Sequence, residues 1–498
     1  MTIPFTNIDK LYINNVWVKP QGGDTEAVLN PATEEIIGHA PLAGLAETEA
    51  AIMAAREAFD NGPWPRMSFR ERAAVMRKMH AVLTRRLPEI QALAIAEVGT
   101  TMGLAYSVQT LTPMSHMMAG IEYAEAIVPT SGPLEINPPW VPGQRDSLGL
   151  ITVIKEPWGV VAGITGYNFP FLLNMAKVVP ALLAGCTIVL KPSPFTPFSA
   201  LLFGQIAEEV GFPKGVINVV NGGLDCARML TEHPAIDMVT FTGSDKVGAL
   251  IAAQAAPTLK KVHTELGGKS ALIVRADADV TKAAYSAAGG LTSNCGQGCA
   301  LLTRFLVHNS VRGEFVATMK GAMEAMKVGN PIDPTTAMGP LIRASQRDTV
   351  ERYVQAGHDG GAKLVTGGKR PEHLDKGFYY TPTLFDDVDN SSKLAQEEVF
   401  GPVGAVIGFD TDEEAVKLAN DSVYGLGAGI MSADPAQAYR MALQLRTGGV
   451  SINGGFGGIM STFGPFGGYK RSGVGREYGP GWINEYLQEK TIGLPAGL

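Results

Sequence analysis

Gly159-Val160-Val161-Ala162-Gly163-Ile164 opens the series that decides the architecture. Three more short apolar runs follow, Thr187-Ile188-Val189-Leu190, Val216-Ile217-Asn218-Val219-Val220 and Met238-Val239-Thr240-Phe241, at intervals that each leave room for one helix. Apolar, β-branched runs without polar alternation suit strands buried on both faces, the condition of a parallel sheet covered by helices. Ser199 to Val210 and Leu224 to Glu232 supply helical periodicity between them. Gly159 to Glu265 therefore reads as an open, doubly wound α/β sheet.

Toward the amino terminus, Leu11 to Ala40 alternates apolar and polar residues around turns and predicts short antiparallel strands. Thr48 to Asp60 and Ser68 to Glu97 repeat apolar residues at helical spacing and predict long amphipathic helices with a methionine and leucine core face. Pro133 to Gln144 is proline-rich and weakly hydrophobic, which suits an extended arm that reaches a second subunit. Beyond Glu265 a second α/β unit is expected: a strand at Ala271 to Val274, a helix from Val280 to about Ser293, a strand at Phe305 to His308, and further alternation to about Ser451. Asn453 to Gly481, rich in glycine and aromatics, suits a loop closing over a site, and Trp482 to Leu498 a short strand-like exit.

A chain of 498 residues, 45% hydrophobic, is expected to form two or three structural units. The net charge of -7, without a basic run, argues against nucleic acid or an anionic membrane as partner and leaves small molecules. Four cysteines are too few for a disulfide framework and fit a reducing compartment, so a cytoplasmic location is expected. The longest apolar run, Val178 to Leu190, contains Pro180 and Gly185 and falls short of the roughly 20 residues of a membrane helix.

Ligands of an open α/β sheet sit at the carboxyl ends of its strands. There, Gly243 permits close backbone approach and Ser244 can donate to a phosphate, while Lys191 with Ser193 can meet ribose hydroxyls; the same residues also serve as ordinary turn chemistry. The first strand-to-helix turn, Gly163-Ile164-Thr165-Gly166-Tyr167-Asn168, lacks the usual glycine fingerprint of a dinucleotide fold. Glu265-Leu266-Gly267-Gly268-Lys269-Ser270 is not a phosphate-cradling P-loop, because His263 stands where that loop needs glycine. Asn294-Cys295-Gly296-Gln297-Gly298-Cys299-Ala300 holds Cys299 between small neighbours that leave its sulfur open to attack a substrate carbon. Read alone, such a cysteine is more often a small buried hydrophobe. Cys295 reads as inert or regulatory, and no third or fourth ligand suggests a metal site.

Seven motifs in order carry a resemblance over essentially the whole chain: Tyr167-Asn168-Phe169-Pro170, Lys191-Pro192-Ser193, Phe241 to Ser244, Glu265 to Lys269, Gly296 to Cys299, Glu397 to Pro402 and Pro465 to Gly473. The sequence resembles the NAD(P)-dependent aldehyde dehydrogenase superfamily. The resemblance implies a dinucleotide-binding domain (1-133 and 156-265), a catalytic domain (266-463) and an oligomerisation arm (134-155 and 478-498) of a homodimer or homotetramer. It makes Cys299 the nucleophile, with Asn168 and the Cys299 amide holding the oxyanion, Glu265 activating water against a thioester, and Lys177 with Glu477 relaying the proton. Glu398 is implied at the nicotinamide ribose, with Phe400 limiting ring movement. Because relatives that pass the acyl group to coenzyme A lack a glutamate in this motif, Glu265 implies a free acid as product.

Tyr167 stands where the family usually has tryptophan, and Ala176 where relatives for small aldehydes often have a bulky aromatic. With Tyr167, Phe169, Phe456 and Phe466 lining the pocket, medium-sized or aromatic aldehydes are expected. Pro194 replaces a glutamate common in NAD-specific relatives, so NAD with measurable use of NADP is expected. A cysteine-dependent ester or thioester hydrolase is the alternative, but no histidine lies nearer in sequence than His308; a catalytically silent relative would lack the cysteine or the glutamate.

Overall fold

The computed structural model describes residues 6–132, 135–137, 141–454 and 456–496. Its first sheet has eight strands, ordered Val16–Val18, Leu11–Ile13, Ile217–Val219, Thr187–Lys191, Val160–Ile164, Met238–Thr242, Lys261–Glu265 and Gly473–Val474. The middle five are parallel, in chain order 3-2-1-4-5, and the flanking strands run antiparallel. The order reverses at Val160–Ile164, so the loops after this strand and its neighbours open onto a crevice, where such sheets bind ligands. Val160–Ile164, Thr187–Lys191 and Met238–Thr242 are buried at every residue, as their unbroken apolar runs require.

The helix Pro170–Ala184 crosses between the first two of these strands and is buried on all sides. Proline at its first position is preset for a helix start, and Gly185, at φ 98°, ends it in a left-handed turn. Its apolar circumference accounts for full burial, and it carries Asn174 and Lys177 into the interior with it.

The second sheet has seven strands, ordered Lys363–Thr366, Thr383–Asp386, Val403–Phe409, Leu302–His308, Ser270–Val274, Gly427–Met431 and Gly449–Ile452, all parallel except the first. A third sheet pairs Leu487–Ala496 with Ser147–Pro157 over ten residue pairs, and Thr130–Ser131 and Glu135–Asn137 add to its other edge. Among the described residues no helix is long and apolar enough to cross a membrane.

Three local expectations need correction. Ser68 to Glu97 is two helices, Phe69–Arg85 and Leu87–Val98, because Pro88 cannot continue the first and instead starts the second. The Pro133 to Gln144 segment is not wholly a free arm: Glu135–Asn137 hydrogen-bonds to Ser147–Gly149 of the same chain, while Pro133, Leu134 and Pro138 to Trp140 lie outside the described residues. The exit strand starts at Leu487, after a helical turn over Trp482–Tyr486 whose apolar residues are buried.

Candidate active site

The cysteine loop begins where the helix Val280–Thr292 stops. Asn294, Cys295 and Gly296 follow with φ of 49°, 55° and 72°, three successive left-handed residues. Two of them are not glycine, and each costs of order 1 kcal/mol unless its surroundings fix it. At the third, a side chain would collide with the backbone of Gly401, so glycine is required there. Gln297 does the fixing: its Nε2 donates to Asn294 O at 3.0 Å and its Oε1 accepts from Ile342 N at 3.0 Å. The turn sends the two cysteines to different places. Cys295 is wholly buried in the core of the second sheet, whereas Cys299 packs at the edge of the first core and lines the central cavity.

Asn168 joins this loop to the first sheet. Its side-chain amide donates to Gln297 O at 3.0 Å, and its carbonyl accepts from Asn294 Nδ2 at 2.9 Å and Gln109 Nε2 at 3.1 Å. The second amide hydrogen of Asn168 remains for a ligand, and both Asn168 and Cys299 line the cavity.

That cavity, about 280 Å³, lies between the strand ends of the first sheet and the cysteine loop. Besides Asn168 and Cys299, its walls include Tyr167, Phe169, Gly243, Ser244, Glu265, Glu398, Phe400, Phe466 and Glu477 from the expected set. Lys191 and Ser193 do not line it; they sit buried at and just beyond the end of Thr187–Lys191, with Lys191 Nζ donating to Pro192 O at 3.2 Å. Lys177 is fully buried outside the cavity and is ion-paired with Glu477. The Phe456 side chain lies outside the described residues. Ala176 is fully buried and does not line the cavity, so its missing bulk does not widen it; Trp482 donates to the Ala176 carbonyl at 3.2 Å.

Sequence reasoning missed Val108, Leu172, Leu173, Gln346, Met460 and Tyr478 as wall residues. Gln346 had a signal only in space: its amide donates to Phe400 O at 2.8 Å and Val399 O at 3.1 Å, holding Phe400 in its left-handed conformation.

Burial governs the electrostatics. Glu265 is raised well above the ordinary carboxylate range by desolvation and then by Glu477, with Lys177 and Arg476 pulling the other way. The Cys299 thiol is also raised well above its usual range, by desolvation and then by Glu265, Glu398 and Glu477. Both shifts favour the neutral thiol and the neutral carboxyl over their charged forms. Desolvation pushes Glu398 up to about 7, against the backbone hydrogen bond from Gly268 N to its Oε1, 3.1 Å. A side chain at Gly267 would strike that carboxylate, so glycine keeps the Glu398 cradle open.

The crevice residues fit a dinucleotide. Ser244 caps the helix Asp245–Ala255 by accepting from Val247 N at 3.4 Å, which leaves its hydroxyl hydrogen and the first helical amides directed outward.

A doubly wound sheet whose switch point faces a half-buried cysteine, an asparagine amide and a glutamate suits a cysteine-dependent enzyme of the dinucleotide type. The sequence pattern of the aldehyde dehydrogenase family matches residues 17–492, and the chain belongs to that family. Among solved structures, a Mycobacterium tuberculosis aldehyde dehydrogenase complexed with NAD+ is 42% identical, with a TM-score of 0.91 over 98% of this chain and 99% of that one. Aldehyde dehydrogenase C of Pseudomonas syringae, complexed with NAD+ and octanal, is 38% identical at a TM-score of 0.91, over 98% and 97% of the two chains. A 3-succinoylsemialdehyde-pyridine dehydrogenase of a Pseudomonas species is 38% identical over 97% of this chain and 98% of its own.

Proposed function

We propose that this chain oxidises an aldehyde to the free carboxylic acid with NAD+ as the usual acceptor and Cys299 as the nucleophile. The observation that carries the reading is the convergence of Cys299, Asn168 and Glu265 on one cavity from three distant segments of the chain. The thiol passes its proton to water in the cavity as its sulfur adds to the aldehyde carbon, forming a hemithioacetal whose oxygen carries the negative charge. The free amide hydrogen of Asn168 and the Cys299 backbone amide hold the oxyanion; one such donor is worth about 3 kcal/mol. A nicotinamide dinucleotide, held by Ser244, Glu398 and Phe400, supplies the hydride acceptor when bound. Once ionised, Glu265 takes a proton from water, the hydroxide cleaves the resulting thioester, and the thiol returns. Glu477 and Lys177, paired with each other, carry the proton away.

The apolar walls favour medium-sized or aromatic aldehydes: Val108, Leu172, Met460 and Phe466 give the cavity apolar surface for a side chain longer than that of acetaldehyde. The neighbour solved with octanal and the relative named for a pyridine semialdehyde support this reading. Residues 1-133 with 156-265 form the dinucleotide-binding domain, 266-463 the catalytic domain, and 134-155 with 478-498 the arm through which copies pair. The test is steady-state oxidation of acetaldehyde, hexanal and benzaldehyde with NAD+, with and without coenzyme A. Free acid equal to NADH, unchanged by coenzyme A, and higher kcat/KM for the two larger aldehydes is expected. An acyl-coenzyme A product or a preference for acetaldehyde would contradict the reading.

A further inference from the structure

Tyr478 follows Glu477, yet no expected role falls to it. Its backbone is left-handed, φ 59°, in a residue that is not glycine. The paired amides of Phe466 and Glu477 hold that segment at 2.6 and 2.7 Å. Its ring is fixed on three sides, stacked on His116 at 3.9 Å and 27°, and tilted against Trp482 at 5.1 Å and Phe466 at 6.3 Å. The residue is 2% exposed and lines the cavity, and among the described residues its hydroxyl has no hydrogen-bond partner. Glu477, Glu265 and Cys299 line the same cavity. A hydroxyl held rigidly in the cavity wall without a protein partner is free to bond what the cavity holds.

We infer that Tyr478 is a substrate-contacting residue that donates its hydroxyl hydrogen to a neutral acceptor on the aldehyde, a ring nitrogen or a ketone oxygen near the reacting carbon. The inference rests on the aldehyde-oxidising reading above and narrows its substrate class. Anionic aldehydes are disfavoured by the same cavity: its ionisable wall residues Glu265, Glu398 and Glu477 are all acidic, and among the described residues no lysine, arginine or histidine lines it. His116 is a positioning residue. It is 2% exposed, neither ring nitrogen meets a hydrogen-bond partner in good geometry among the described residues, and burial lowers its pKa to about 4, so near neutral pH it is an uncharged plate beneath the tyrosine ring.

The test compares kcat/KM for pyridine-2-, pyridine-3- and pyridine-4-carbaldehyde with benzaldehyde, in wild type and variants, so that intrinsic reactivity cancels from the ratio. For the isomer the wild type uses best, Tyr478→Phe is expected to lower the pyridine-to-benzaldehyde ratio about tenfold. His116→Ala should lower it similarly, and His116→Phe, which keeps a ring to stack on, should restore it. 4-Carboxybenzaldehyde should be used less well than benzaldehyde by the wild type. Ratios unchanged by Tyr478→Phe for all three isomers, or preferred use of the carboxylate, would overturn the inference. Failure of every aldehyde to support NADH formation would instead overturn the reading it rests on.

Discussion

Lys177 shows how a single buried charge sets the working pH of the site. It is fully buried and paired with Glu477, and its charge lowers the Glu265 pKa against desolvation and the Glu477 charge. Removing it takes away the stabilising cation and leaves Glu477 to repel Glu265 more strongly, so both effects raise Glu265 further. Because Glu265 must be ionised to activate water, the ascending limb of the pH profile should move to higher pH in Lys177→Met. A kcat profile from pH 6 to 10 checks it, and a limb that stays put or moves down contradicts the assignment. Pro194 makes a second residue-scale prediction. It offers neither a charge against a 2′-phosphate nor an oxygen for ribose, so Pro194→Glu should weaken NADP use much more than NAD use. Equal loss with both cofactors, or wild-type selectivity for NAD above about a thousandfold, roughly 4 kcal/mol, would place discrimination elsewhere. The motif residues around the cavity were legible in the sequence because they stand in recognisable spacing. Val108, Met460 and Tyr478 were not, since each is an ordinary apolar or aromatic residue on a separate element, brought to one wall only by the fold.

At the scale of elements, apolar runs located the buried strands, but contacts between elements stayed hidden. Glu97 is an example: at the end of Leu87–Val98 it looks like an exposed helical glutamate, yet it is wholly buried. It accepts from Phe198 N at 2.6 Å, Ser199 N at 3.1 Å and Ser199 Oγ at 2.6 Å, capping the helix Phe198–Val210 from another part of the chain. Glu97→Ala would strand three donors and open a small void, and should destabilise the fold by about 3 kcal/mol, read from the urea midpoint. A change under about 0.5 kcal/mol would mean water replaces the cap. Burial also pushes Glu97 up to about 7, despite those donors. Its folded pKa lies above the unfolded value, so its contribution is fully present below about pH 4.5 and declines as pH rises toward 7. The left-handed turn at Asn294 to Gly296 was likewise invisible: only Gly296 advertises such a conformation, and the long-range grip of Gln297 enforces the other two.

Over the whole molecule, two largely parallel sheets face one cavity, and the third sheet projects an apolar surface that nothing among the described residues covers. Leu148, Ile492 and Leu494 share one face of its two longest strands and are each at least 40% exposed. Such a surface is expected to pair with a second copy, giving a dimer or a pair of dimers. Light scattering at micromolar concentration should show no monomer; a monomer would contradict the expected role of the arm. The two-sheet plan was legible because buried parallel strands have a strong sequence signature, and the small third sheet less so because Glu135–Asn137 carries little apolar pattern.

The central claim is that Cys299 and Glu265 divide the reaction between them, and single-turnover kinetics tests it most directly. With Glu265→Gln, mixing enzyme, NAD+ and aldehyde in a stopped-flow instrument should give a rapid burst of NADH close to one per active site, then slow turnover as the thioester waits for water. Cys299→Ala should abolish both phases. Loss of the burst itself in Glu265→Gln would contradict the account, because it would make Glu265 the base that ionises the thiol and leave hydrolysis without its assigned residue.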